Sequence, residues 1–181
     1  NTTHLAAAAK ALDQAAGVVP PDNAIRVRNA ALMAEQIQND LRQSLLMFMV
    51  DFANPAYAEH SLAEEARRRY APVGGRDLPP GSHSVAAIQE SKRILELIAL
   101  LGGQWPHSSF MVPGGVINGA DAQALLQGRH LVRELRRWYE KQVLGCSVER
   151  WASVNSLAEL EEWLAESEAH RESDVGFLLR F

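Results

Sequence analysis

The chain has 181 residues, 47% hydrophobic and 22% charged, with a formal net charge of −4. That balance belongs to a folded chain with a sizeable core and excludes a disordered one. The lack of a basic excess argues against nucleic-acid binding, and a single cysteine, Cys146, excludes an internal disulfide or a cysteine-rich metal site.

The lone cysteine fits a reducing compartment, so a cytoplasmic location is expected. The N-terminus is alanine-rich and lacks the basic n-region of a signal peptide. No membrane span is expected: the longest apolar stretch, Leu41 to Ala53, is interrupted by Arg42, Gln43 and Asp51 and is too short.

Thr3 to Ala16 reads as a helix stopped by Gly17. Val18-Val19-Pro20-Pro21 is a rigid connector, and Asp22 or Asn23 can cap the next helix. That helix should run to about Ala53, where Asn54-Pro55 stops it. Leu32, Ile37, Leu41, Leu45 and Phe48 follow helical spacing, and Leu45 to Val50 is apolar on nearly every side, which predicts a central helix buried all round. If such a helix lost its cover it would favour self-association.

Ser61-Leu62-Ala63-Glu64 has the form of a capping box, and the Arg67-Arg68-Arg69 run after Glu64 and Glu65 reads as a solvated helix face. Pro72 to Gly81 is a loop rich in Pro and Gly. A helix follows from about Ser84 to Leu101, with Val85, Ile88, Leu95, Ile98 and Leu101 on a broad face, and Gly102-Gly103 ends it. Gly103 to Gly115 cannot be helical with its prolines and glycines; a short strand is expected at Ser109 to Val112. Asn118 or Asp121 caps a helix reaching Leu144 and closed by Gly145. Ser156-Leu157-Ala158-Glu159 is a second capping box, opening a helix to about Ala169. The apolar end, Asp174 to Phe181, reads as continuing in a longer parent. The expected fold is mainly α, a bundle of long helices with one Gly/Pro-rich loop and little or no β, forming a single domain over 1–181.

Chemical motifs are sparse. None of the six histidines forms an HxH or HxxxH pair, so local metal-ligand spacing is lacking. His60, His83, His130 and His170 read as surface or satisfied core residues. His107 stands apart, between Pro106 and two serines in irregular backbone bounded by glycine pairs, the kind of segment that carries function or packs a loop through Trp105 and Phe110. Glu64 and Glu65 are adjacent rather than opposed, and Glu159, Glu161, Glu162, Glu166 and Glu168 mark an exposed acidic face. No GxSxG, P-loop or GxGxxG motif occurs. Cys146, beside a helix C-terminus whose dipole opposes a thiolate, reads as a packing residue.

Three segments in order resemble the nickel–iron hydrogenase large subunits. The first is His4-Leu5-Ala6-Ala7-Ala8-Ala9-Lys10-Ala11-Leu12 with Gly17-Val18 and Pro21-Asp22-Asn23, similar to the helix after the family's first Cys-x-x-Cys pair. The second is Arg28-Asn29, similar to the pair opening the family's central helix. The third runs from Leu100-Leu101-Gly102-Gly103-Gln104-Trp105-Pro106-His107 to Val112-Pro113-Gly114-Gly115-Val116, similar to the family's Gly-Gly-Lys-x-Pro-His…Gly-Gly-Val loop. The resemblance covers roughly residues 1 to 175.

It implies a protein dominated by long helices. In the complete protein it implies a nickel–iron centre held by four thiolates, soft ligands suited to the metal's redox states, and a small iron–sulfur subunit as partner. The family's cysteine pairs would lie outside this chain, so no catalytic residue, metal ligand or cofactor is expected within it, and it is expected to be inactive alone. By the same resemblance His4 would stand behind a metal ligand as a hydrogen-bond donor, and Arg28 and His107 near the metal site or subunit interface. The acid position of the central helix falls on Asn39, with Asp40 beside it, and the family's histidines there are missing. Met49 to Ala58 is closer to the sensory and uptake-like branch. An alternative is a large-subunit-like accessory protein (HupK-type) that lacks the metal cysteines and binds maturation factors; Trp105, Phe110 and Met111 would then be its anchors. Enzyme and accessory readings both stay open on the sequence.

Overall fold

The computed structural model describes residues 1–75, 79–117 and 119–181. Of the sequence expectations, part of the Pro72 to Gly81 loop (Arg76, Asp77 and Leu78) and the cap at Asn118 lie outside the described residues. The fold is mainly helical, 72% helix against 2% strand. The chain packs as two compact units, Asn1–Leu131 and Val132–Phe181. No helix among the described residues is long and apolar enough to cross a membrane.

The first unit opens with a helical hairpin. Helix α1, Thr2–Ala16, ends where Gly17 turns left-handed at φ 65°. The Gly17 and Val18 amides then bond back to the carbonyls of Gln14 and Asp13, the Schellman pattern that satisfies a helix end. Helix α2, Asp22–Leu41, begins directly after Pro21 without a side-chain cap. Asp22 therefore sits inside the first turn, where its charge favours the helix dipole, instead of capping it. Helix α2 touches α1, helices α4 (Ser82–Arg93) and α5 (Leu95–Gly102), and the strand Gly115–Val116, so it is the central rod of this unit.

The buried face of α2 differs from the expected one. It carries Ala24, Arg28, Ala31, Ala34, Glu35, Gln38 and Leu41. Its alanines let neighbouring helices come close, whereas Ile37 turns outward. Beyond Leu41 the helix widens into a π-helical run, Arg42–Phe48, then tightens to a 3-10 turn, Met49–Ala53. The Ser44 hydroxyl donates to the Asp40 carbonyl at 2.7 Å, a side-chain bond that competes with the regular ladder and bends helices. The wide turn shifts the helix phase by about one residue. Leu45 and Met49 therefore point inward at 3% exposure, while Met47 and Phe48 stand out at 64% and 49%. The expectation that Leu45 to Val50 is covered on every side is corrected accordingly.

Helix α3, Ala63–Tyr70, packs on the 3-10 turn and on α4. The Ser61 capping box does not form; the Leu62 amide donates instead to His60 Nδ1 at 3.2 Å. Nor is the arginine run wholly solvated, since Arg69 is buried and pairs with Glu65 at 2.6 Å. The helix expected from Ser84 to Leu101 is interrupted at Ile94, where the Leu97 amide reaches only three residues back. Gly103, at φ 83°, closes α5. The strand expected at Ser109 to Val112 shortens to β1, Met111–Val112, and pairs antiparallel with β2, Gly115–Val116, across a Pro113-Gly114 turn in which Gly114 has φ 82°. The Asp121 carboxylate accepts the Ala124 amide at 2.7 Å, just ahead of helix α6, Ala122–Trp138.

The second unit takes the end of α6, its π-helical extension Tyr139–Leu144, and the left-handed Gly145. Four short helices follow: α7 (Val148–Ala152), α8 (Leu157–Glu166), α9 (Glu168–Glu172) and α10 (Asp174–Arg180). Each is capped by a serine hydroxyl, from Ser147, Ser156, Ser167 and Ser173 respectively. The helix expected from Ser156 to Ala169 thus breaks at Ser167. In the second capping box Glu159 reaches back to the Asn155 amide, one residue before the cap. At the core, Trp163 stacks on His170 with ring centres 4.6 Å apart. Its indole N–H donates to Cys146 Sγ at 3.4 Å. Cys146 is half-buried, and His170 is a buried residue whose Nδ1 lies 2.7 Å from the Trp163 carbonyl.

Gly102 offers a direct test of the first unit's packing, because a Cβ there would run into the buried Phe110 ring. Gly102→Ala should lower stability by about 1–3 kcal/mol; urea unfolding followed by circular dichroism measures it, and an unchanged midpoint would contradict this packing.

Candidate functional site

Arg28 lies in the second turn of α2, on its buried face, and ties three elements together. Its Nη1 donates to Asp13 Oδ2 of α1 at 2.6 Å. Its Nη2 donates to the carbonyls of Val112 and Gly115 at 2.6 and 2.8 Å, and its Nε donates to Gly115 O at 3.1 Å. Asp13 answers from the other side, its Oδ1 accepting the Gly114 amide at 2.7 Å. Both side chains are under a tenth exposed. A buried guanidinium is stable only when its charge is matched and its N–H groups are satisfied. Here a carboxylate supplies the charge, and the two carbonyls of a tight hairpin supply acceptors. The Arg28 hydrogen bond, helped by the Gly114 amide, holds the Asp13 carboxyl below its ordinary range.

A second junction lies seven residues further along the same face, about 10 Å at the helical rise. The Glu35 carboxylate sits on the N-terminus of α1. Oε1 accepts the Asn1 nitrogen at 2.8 Å and the Thr2 amide at 2.9 Å; Oε2 accepts the Thr3 amide at 2.7 Å and the Thr3 hydroxyl at 2.6 Å. A carboxylate here satisfies amides the helix itself cannot, and complements the helix dipole. Burial works to raise the Glu35 pKa. The hydrogen bonds from the Asn1 nitrogen, Thr3 and Thr2 outweigh it and bring the carboxyl down to about 2.

His107 stands at the same end of α1, with Nδ1 3.5 Å from the Asn1 side-chain amide. Its backbone is left-handed at φ 63°, a conformation unusual for a residue other than glycine. The Gln104 side chain donates to its carbonyl at 2.7 Å and braces the turn. Backbone held against its preference is a recurring mark of functional segments.

The structure therefore brings Arg28 and His107 onto the α1–α2 hairpin, at its two ends. His4 is exposed on the first turn of α1. Arg28 is buried, its guanidinium bonded to Asp13 and to the hairpin carbonyls. Asn39 and Asp40 lie elsewhere: they are exposed, and with Arg42, Gln43 and Met47 they line a shallow hollow of about 430 Å³. Of the three residues read as partner anchors, Trp105 alone is exposed, at 40%. Phe110 and Met111 are buried in the first unit's core, where Phe110 fills the space left by Gly102.

Asp13 and Glu35 were not singled out from the sequence. The available signal was their phase: Arg28 and Glu35 fall seven apart among buried alanines, and Asp13 shares a face with Ala9 and Thr2. Among the described residues no three His, Cys, Asp or Glu side chains gather as a metal site. No family model matches the chain.

Glu35 sets an acid-stability prediction. A carboxyl whose pKa is lower folded than unfolded stabilises the fold at neutral pH, and that contribution is lost as the pH falls through its folded value. Stability should therefore decline between about pH 4.5 and pH 2. The Glu35→Gln variant should be less stable at pH 7 and show a shallower decline over that range; urea midpoints measured from pH 2 to 7 would contradict this if both proteins declined in parallel.

Proposed function

We propose that this chain is the helical body of a nickel–iron hydrogenase large-subunit-like protein. The observation that carries the reading is the shared junction of its three resembling segments. The alanine-rich helix, the Arg-Asn start of the central rod and the Trp-Pro-His…Gly-Gly-Val loop meet through Arg28, Asp13 and Gly114–Gly115. The loop lies more than eighty residues from the two helical segments, so one set of buried hydrogen bonds linking all three supports reading them together.

The metal centre that the resemblance implies does not fit the side chains present. The one thiol, Cys146, accepts the Trp163 indole N–H in the second unit, and a four-thiolate site needs three more. In this reading the chain supplies scaffold: Glu35 and Arg28 set the start of α1 and the hairpin against α2, and His107 and His4 lie beside the N-terminus of α1. Hydrogen chemistry and a small iron–sulfur subunit belong to the complete protein.

A second reading, a metal-free accessory protein that assists hydrogenase maturation, draws on the central helix. Its polar family positions fall on the exposed Asn39 and Asp40, and Met47 and Phe48 beyond them are exposed too. In this second reading Trp105 is the partner anchor, an aromatic side chain 40% exposed on a turn braced by Gln104.

The chain alone should reduce no redox dye under hydrogen; measurable reduction would overturn the scaffold assignment. Nickel and iron analysis of the parent protein purified without oxygen separates the two readings: stoichiometric metal favours the enzyme, and metal-free protein that binds a hydrogenase precursor favours the accessory. Trp105→Ala should weaken binding to the precursor by on the order of ten-fold or more, with the circular dichroism spectrum unchanged; unaltered affinity in calorimetry would remove Trp105 from the interface.

A further inference from the structure

We draw no further inference here: the strongest candidate, the open and largely apolar groove of about 650 Å³ between α5 and α6 lined by Glu96, Leu100, Leu126, His130 and Leu131, carries nothing because nothing in the structure shows what covers it.

Discussion

The architecture of the first unit depends on a charged group on a buried helix face. Arg28 cannot be withdrawn from water unless something replaces its hydration, and the chain arranges that replacement from two distant places. Asp13 comes from the antiparallel neighbour, and the Val112 and Gly115 carbonyls come from a hairpin more than eighty residues away. The hairpin is held by the same group that needs it. A carbonyl exposed by a tight Pro-Gly turn finds a cation, and the cation finds an acceptor. Asp13 closes the circuit by taking the Gly114 amide. Apolar residues of similar size could fill the same volume but would not specify which turn docks there, and register is the use of buried polar groups with the best physical warrant.

Glu35 performs the matching task at the other end of the helical hairpin. Helix α1 makes no side-chain cap of its own, so the partner helix provides one. Two polar pins on one face of α2, with small alanines between them, set the separation and the register of α1. The loop that carries His107 then meets an α1 terminus whose position is already determined. This explains how an exposed histidine in left-handed backbone can be held in one place: Gln104 braces its carbonyl, and the Asn1 amide lies beside its ring.

The helical character of the chain was legible because its signals are local. Gly17, Gly103 and Gly145 stop helices as expected, and each adopts positive φ. Asn54-Pro55 ends the long rod at the expected place. What could not be read was phase. The π-helical run after Leu41, in which Ser44 bonds back to the Asp40 carbonyl, puts Phe48 outside and Met49 inside. Serine breaks at Ser167 and the interruption at Ile94 were also missed, because helical spacing continues across both. For the site, irregular backbone singled out His107, and Arg28 was singled out by resemblance. Asp13 and Glu35 escaped notice since a lone carboxylate in a helix looks like any surface acid until its partner is brought in from elsewhere. Phe110 and Met111 looked like interface anchors for the same reason, as composition does not reveal that Gly102 leaves room for the Phe110 ring.

A double-mutant cycle between Asp13 and Arg28 tests the account most directly. Urea unfolding of Asp13→Ala, Arg28→Ala and the double variant gives their coupling, and the exposed Arg137–Glu134 pair serves as a reference in the same chain. If the buried pair holds the hairpin to the helices, its coupling will be several times that of the exposed pair, with the double variant little worse than either single one. Additive losses, or a coupling no larger than the surface reference, would contradict the claim that this interaction organises the unit.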